Sequence, residues 1–257
     1  MQKEAIGQPA CQGKENRMEL LGGGVFAFVS PNHTFGTDAL LLADFASPSP
    51  SCLAADLGSG CGIIPLLWCR ENPPRKIWAV ELQAEACALI RQSVAYNGLQ
   101  DKLEVVQADL RQLPSTTIPR GRLDLVVSNP PYQEVDAGLP DKGEARRLAR
   151  REESCTIEDV ARTSAGLLRF GGRLCICHRP VRLPEIMEKL RAMSLEPKRL
   201  RLVQARADKA PFLFLLEARK GGRPGLQVLP TLLLKGADGQ DSAELRHIYR
   251  LYAMREQ

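Results

Sequence analysis

The chain has 257 residues, 44% hydrophobic and 25% charged, with a formal net charge of +5. That balance excludes a disordered chain, which needs low hydrophobicity and high net charge, and no window holds the roughly 18 consecutive apolar residues of a membrane span. The length suits one large domain with small additions, able to build a core without disulfide or metal staples, and leaves no room for several catalytic modules. Met1 to Arg17 are polar and lack the apolar core of a secretory signal, so a cytoplasmic protein with reduced thiols is expected. The eight cysteines form no C-x-x-C pair and no clustered histidine joins them, so they read as buried or incidental thiols and no metal is expected. A mild basic balance is compatible with a nucleic-acid partner but does not decide it.

In chain order, the first 50 residues carry a candidate strand at Val25 to Val29 and a helix opened by Thr37. Cys52 to Leu57 reads as a strand, followed by a glycine cluster and a helix from Ile63 to Arg70 that Pro73-Pro74 stops. Lys76 to Glu81 is the second strand of this series. Ala84 to Asn97 is a helix with Cys87, Ile90 and Val94 on one face and Gly98 as its stop. Leu103 to Asp109 and Leu123 to Ser128 are the third and fourth strands, the latter broken by Asn129-Pro130-Pro131-Tyr132. Thr156 and Asp159 fit a capping box opening a helix to Arg169, which Gly171-Gly172 ends before a strand from Arg173 to Cys177. Leu183, Ile186, Met187, Leu190 and Met193 fall at helical spacing, and Leu200 to Gln204 and Phe212 to Ala218 are two last strands. Residues 221 to 257 read as a loop-rich tail with a short helix near Ser242 to Ala253. Seven strands alternating with helices predict an α/β sheet with crossover helices on both faces.

The chemistry gathers at strand ends. Asp56-Leu57-Gly58-Ser59-Gly60-Cys61-Gly62 follows the first strand of the series, where open α/β sheets bind ligands. Ile63 stands where the dinucleotide fingerprint needs its third glycine, which lowers the case for a nicotinamide cofactor. A glycine turn alone is a weak signal, and one acid at a strand end is more often simply solvated. Three such acids, Asp56, Glu81 and Asp109, along one rim favour a nucleoside. Glu81 is placed for ribose hydroxyls and Asp109 for the exocyclic amine of an adenine, since carboxylates only accept hydrogen bonds. In the tetrad, the Asn129 carboxamide oxygen and the Pro130 carbonyl can accept N–H bonds from a planar amine, while Tyr132, held by Pro130 and Pro131, can stack on it.

The stretch from Gln133 to Ser154 has few large apolar residues and reads as a substrate loop. Its Lys142, Arg146, Arg147, Arg150 and Arg151 suit RNA phosphate contacts, although interleaved Glu144, Glu152 and Glu153 are also what a solvated face carries. His33, His178 and His247 are isolated and are assigned no chemistry.

Taken together, Asp56-x-Gly58-x-Gly60-x-Gly62, Glu81, Asp109 and the N-P-P-Y tetrad resemble the class I S-adenosylmethionine-dependent methyltransferases that modify exocyclic or amide nitrogens. Phe35-Gly36-Thr37-Asp38-Ala39-Leu40-Leu41-Leu42-Ala43 is similar to a segment of the bacterial tRNA(Val) adenine-N6 methyltransferases. Gly171-Gly172-Arg173-Leu174, His178-Arg179-Pro180 and the run Arg219 to Gly225 are similar to that group as well. The resemblance implies a Rossmann-like sheet of seven mostly parallel strands with a reversed last strand. It implies S-adenosyl-L-methionine as cofactor and S-adenosyl-L-homocysteine as product. Asp56 and the loop Gly58, Gly60 and Gly62 would face the methionine part, Glu81 the ribose and Asp109 the adenine, with Thr37, Asp38 and Asn129 also at the cofactor. The methyltransferase domain would span 51–220, with 1–50 an extension packed on it and 221–257 its tail. The implied substrate is a tRNA adenine, attacked in line at its N6.

The same tetrad can bind a side-chain amide, so a glutamine-N5 methyltransferase acting on release factors is the alternative. That family usually carries a helical domain before the glycine loop, for which this chain has little length. A binding module that keeps the fold without turnover is the remaining reading, and no feature here sets the oligomeric state.

Overall fold

A computed structural model describes residues 16–70, 72–113, 116–130 and 155–253. The described chain opens with an antiparallel hairpin, β1 (Arg17–Leu20) and β2 (Phe26–Val29), and a helix α1 (Thr37–Ala46). There follow β3 (Leu53–Leu57), α2 (Ile63–Trp68), β4 (Lys76–Glu81), α3 (Ala84–Tyr96), β5 (Leu103–Gln107) and β6 (Leu123–Ser128). After the tetrad come α4 (Ile157–Leu167), β7 (Leu168–His178), α5 (Leu183–Ala192), β8 (Leu195–Gln204) and β9 (Leu213–Lys220). Two-residue strands β10 (Gln227–Val228) and β11 (Leu232–Leu233) precede the last helix, α6 (Ala243–Ala253).

The main sheet has the order β10-β8-β9-β7-β6-β3-β4-β5, with β11 also on β8. Strands β3 to β7 pair in parallel, and β9 runs antiparallel to both β7 and β8, the reversed strand that the resemblance implies. The chain steps outward from β3 through β4 to β5, then returns to lay β6 on the other side of β3. The switch point therefore lies between the carboxyl ends of β3 and β6, where open sheets of this kind form their binding crevice. Ser128 Oγ donates to the Leu57 carbonyl at 2.8 Å and joins those two ends.

Near-continuous apolar runs build β3, β4 and β6 because both sheet faces are covered. One face buries Ile77, Leu125 and Val127 against Leu41 of α1, Leu66 of α2 and Ile90 of α3, and Leu245 and Ile248 of α6 join the same core. The other buries Leu57, Val80 and Phe214 against Val160 of α4 and Leu190 of α5. Each such side chain contributes roughly 1.5 to 3 kcal/mol of transfer free energy. No helix among the described residues is long and apolar enough to cross a membrane. The described cysteines are all free, and all but the half-buried Cys155 are buried.

Several boundaries differ from the sequence reading, each for a physical reason. Helix α4 stops at Leu167 instead of Arg169, and β7 begins at once, so Gly171 and Gly172 sit inside a strand instead of ending a helix. Pairing passes from Leu123↔Leu168 to Leu125↔Arg173, a bulge. Gly171 supplies φ +75° there, and a Cβ on Gly172 would stand 2.9 Å from two backbone carbonyls. β8 starts at Leu195, five residues earlier than read, because its pairing with β9 continues past a bulge at Pro197/Arg199. β5 ends at Gln107, leaving Asp109 to cap a short 3-10 turn. The strand β1 was not anticipated. Its polar sequence gives no strand signal, and the hairpin is held instead by α3, whose Asn97 and Ser93 side chains accept from Phe26 N and Phe28 N at 2.8 and 2.9 Å.

Candidate active site

Three strand ends and the first turn of α1 build the site. Beyond β3, Gly58 N and Ser59 N both donate to the Val80 carbonyl at 2.9 and 3.0 Å, folding the loop back over β4. Gly58, Gly60 and Gly62 have φ of +76°, +57° and +79°, which favour glycine. Among the described residues a Cβ on Gly58 or Gly60 would meet nothing within 4 Å, which leaves this side of the loop open to a ligand, whereas one on Gly62 would lie 3.0 Å from Ile90.

Asp56 is 1% exposed. Its Oδ2 accepts from Ser59 Oγ at 2.6 Å, while Oδ1 is buried without a hydrogen-bond partner among the described residues. Burial, reinforced by the charge of Glu81 and opposed by the Ser59 bond, pushes this carboxyl up to about 7. Glu81, also buried, uses one position on each oxygen to organise the rim: Oε2 accepts from Gly60 N and Oε1 from Gln83 N, both at 2.9 Å. A carboxylate has further lone pairs, so the acid keeps acceptor capacity for hydroxyls.

Asp109 lies in the same rim but is already engaged. Arg111 donates through its backbone N to Oδ1 at 2.9 Å and through Nη2 to Oδ2 at 2.6 Å, and holds the carboxyl below the ordinary aspartate range.

Asn129 follows the end of β6. Its Nδ2 donates to Asp38 Oδ2 at 3.0 Å, and its Oδ1 accepts from Cys177 Sγ at 3.0 Å. Asp38 is thus brought to the tetrad, while its neighbour Thr37 turns to the tail, with Oγ1 2.9 Å from Tyr249 Oη. Pro130 is half-buried beside Asn129. Pro131, Tyr132 and the basic group Lys142, Arg146, Arg147, Arg150 and Arg151 lie outside the described residues. His178 is buried, its Nδ1 accepting from Arg179 N at 2.8 Å, and burial pushes its ring down to about 4. Such a ring is neutral at physiological pH.

Sequence reasoning missed Ser59, Cys177 and Tyr249. Ser59 was open to notice as the one polar side chain between glycines of the loop. Cys177 has a register signal only after the strands are paired, since Ser128↔Ile176 places it beside Asn129. Tyr249 gives no local signal.

A parallel sheet with one reversed strand and a polar rim at its switch point defines a Rossmann-like methyltransferase. Residues 23–192 match the family described as methyltransferase small domain, and the chain belongs to that family. Two relatives bear the name tRNA1(Val) (adenine(37)-N6)-methyltransferase. The protein of Porphyromonas gingivalis is 29% identical over 191 residues, covering 72% of this chain and 73% of the relative. That of Parabacteroides distasonis is 28% identical over 183 residues, covering 71% and 75%. Among solved structures, a protein described as a predicted O-methyltransferase from Agrobacterium tumefaciens superposes with a TM-score of 0.63 at 22% identity, covering 85% of this chain and 98% of that one. It bears on the fold alone.

Proposed function

We propose that the chain uses S-adenosylmethionine to methylate the exocyclic N6 of an adenine in tRNA, the adenine 3′ of the anticodon of a valine tRNA. The observation that carries this reading is the meeting, at one switch point, of a buried half-satisfied Asp56 and an open glycine loop with the carboxamide of Asn129. The names of the relatives support the substrate.

The residues present fit the cofactor. The orphaned Asp56 Oδ1 calls for a donor, and the missing Cβ atoms of Gly58 and Gly60 leave room for close approach. Asp56 and the loop would hold the methionine part and Glu81 the ribose. Asp109 is assigned the adenine amine, for which Arg111, bonded to both of its oxygens, would have to give up one of those contacts. When bound, S-adenosylmethionine supplies an electrophilic sulfonium methyl. Asn129 Oδ1 and the Pro130 carbonyl then accept the two N–H groups of the target amine. Those bonds draw its lone pair out of the ring π-system and aim it, a positioning and electrostatic effect that needs no strong base. Tyr132, which follows Pro130 and Pro131 in the sequence, is assigned the stacking of the extruded base, worth about 1 to 3 kcal/mol. Lys142, Arg146, Arg147, Arg150 and Arg151 are assigned the phosphates. A tRNA substrate would support the reading of a cytoplasmic protein.

The test is methyl transfer from labelled S-adenosylmethionine to unmodified total tRNA, with nucleosides resolved by mass spectrometry and release factor as a parallel substrate. Labelled N6-methyladenosine is expected, and label confined to release-factor glutamine would overturn the substrate. Asn129→Ala is expected to lose most turnover while keeping affinity for S-adenosylhomocysteine.

A further inference from the structure

We infer that Asp38 and Cys177 are positioning residues that lock the Asn129 carboxamide in one flip and present its oxygen to the substrate amine. The inference rests on the methyltransferase reading for what the amide does, and on the geometry for how it is held. Three elements meet on this one side chain: the first turn of α1, the end of β6 and the end of β7.

The two ends of a carboxamide differ by an oxygen and an NH2 group of nearly equal size, so a free asparagine can present either to a substrate. Only the oxygen accepts from an amine. A carboxylate has no proton to donate, so the end facing Asp38 Oδ2 at 3.0 Å must be Nδ2. The opposite end is then Oδ1, and the Cys177 thiol, 3.0 Å away, donates to it. Cys177 is fully buried, which keeps that thiol away from bulk water. A carbonyl oxygen can accept more than one hydrogen bond, so the thiol contact is compatible with acceptance from the target N–H. Donation from Nδ2 to an anion also polarises the amide and strengthens its oxygen as an acceptor. Asp38 thereby acts through Asn129, a different role from the cofactor contact implied by resemblance.

The experiment compares Asp38→Ala, Asp38→Asn, Cys177→Ala and Cys177→Ser in the full chain. Steady-state methyl transfer to tRNA, S-adenosylhomocysteine affinity by calorimetry and NMR of ¹⁵N-asparagine side-chain amides are read together, with the Asn129 signals identified by Asn129→Ala. Asp38→Ala is expected to lower kcat about 100-fold, the scale of a misplaced reacting group, and to leave S-adenosylhomocysteine affinity nearly intact. Cys177→Ala is expected to lose about fivefold, the worth of one neutral hydrogen bond, and Cys177→Ser to recover it. The Asn129 amide protons should move upfield and exchange faster in Asp38→Ala, with Asp38→Asn as the variant that best preserves packing. Asn129 signals unchanged in both Asp38 variants would overturn the inference. So would a large loss of S-adenosylhomocysteine affinity with kcat retained at saturating cofactor, which would make Asp38 a cofactor contact. If the unaltered protein leaves tRNA unlabelled, the proposed substrate fails while the NMR comparison still decides how Asn129 is held.

Discussion

Thr37 and Tyr249 are 212 residues apart and share a hydrogen bond of 2.9 Å between their hydroxyls. It fastens α6 to the first turn of α1, the turn that carries Asp38 to Asn129. Leu245 and Ile248 bury the rest of the α6 contact in the core around α1, and Arg201 adds an ion pair to Glu244 at 2.7 Å. The final helix is therefore a brace for one wall of the site. Tyr249→Phe is expected to cost about 1 kcal/mol of stability, the net worth of one such bond. A double-mutant cycle with Thr37→Val, read by urea unfolding, should return a coupling of similar size. Additive losses would show that the two hydroxyls do not act on each other.

The buried Asp56 carries a pH signature. Its carboxyl is raised from 3.8 to about 7, chiefly by burial, so the folded state holds a proton that the unfolded chain releases. The stability linked to that proton is complete below pH 4 and is lost as pH rises through about 7. Asp56→Asn removes the titration. In scanning calorimetry it should melt close to the unaltered protein at pH 4 and several degrees above it at pH 8, while binding S-adenosylhomocysteine more weakly. An equal Tm difference at both pH values would contradict a raised carboxyl.

Much of this architecture was readable from local pattern. The strands β3, β4 and β6 are apolar runs bounded by turn residues, because parallel strands covered on both faces leave no position for alternation. The capping box at Thr156 and Asp159 forms as its spacing requires. The glycine loop and the rim acids could be placed because strand ends follow from the strands. What stayed hidden was set by partners distant in sequence or by competition between neighbours. The polar strand β1 owes its place to the hairpin's hold on α3. Asp109 looks like a free rim acid until Arg111, two residues on, folds over it. The grip on Asn129 comes from positions 91 residues before it and 48 after, which only the completed sheet brings together.

A third buried acid holds the far end of α1. Glu217 is 1% exposed and takes Arg173 and Arg199 on Oε2 at 3.2 and 3.0 Å, with Arg219 on Oε1 at 3.5 Å. Arg173 also donates to the Ala46 carbonyl at 3.0 Å, and Arg199 lies over the Phe45 ring, 4.8 Å from its centroid. Removing the carboxylate leaves three guanidinium groups facing one another. Because they are partly exposed, water recovers some of the loss, and Glu217→Gln is expected to cost roughly 2 to 4 kcal/mol in urea unfolding. A loss below about 1 kcal/mol would show that water replaces the carboxylate fully.

Gly60 and Gly62 separate binding from folding within one loop. Both have positive φ, so alanine at either site carries a left-handed backbone cost of about 1 to 3 kcal/mol. At Gly60 the new methyl enters the open space beside Glu81, whose Oε2 accepts the Gly60 N–H. Gly60→Ala should therefore fold with modest destabilisation and lose most affinity for S-adenosylhomocysteine in calorimetry. At Gly62 the methyl would press on Ile90 at 3.0 Å, inside the core between the loop and α3. Gly62→Ala is expected to be the less stable of the two, and combining it with Ile90→Ala, which removes both contacted Cγ atoms, to cost less than the sum of the two single changes. Equal Tm values for the two glycine variants would refute this assignment of the two faces of the loop.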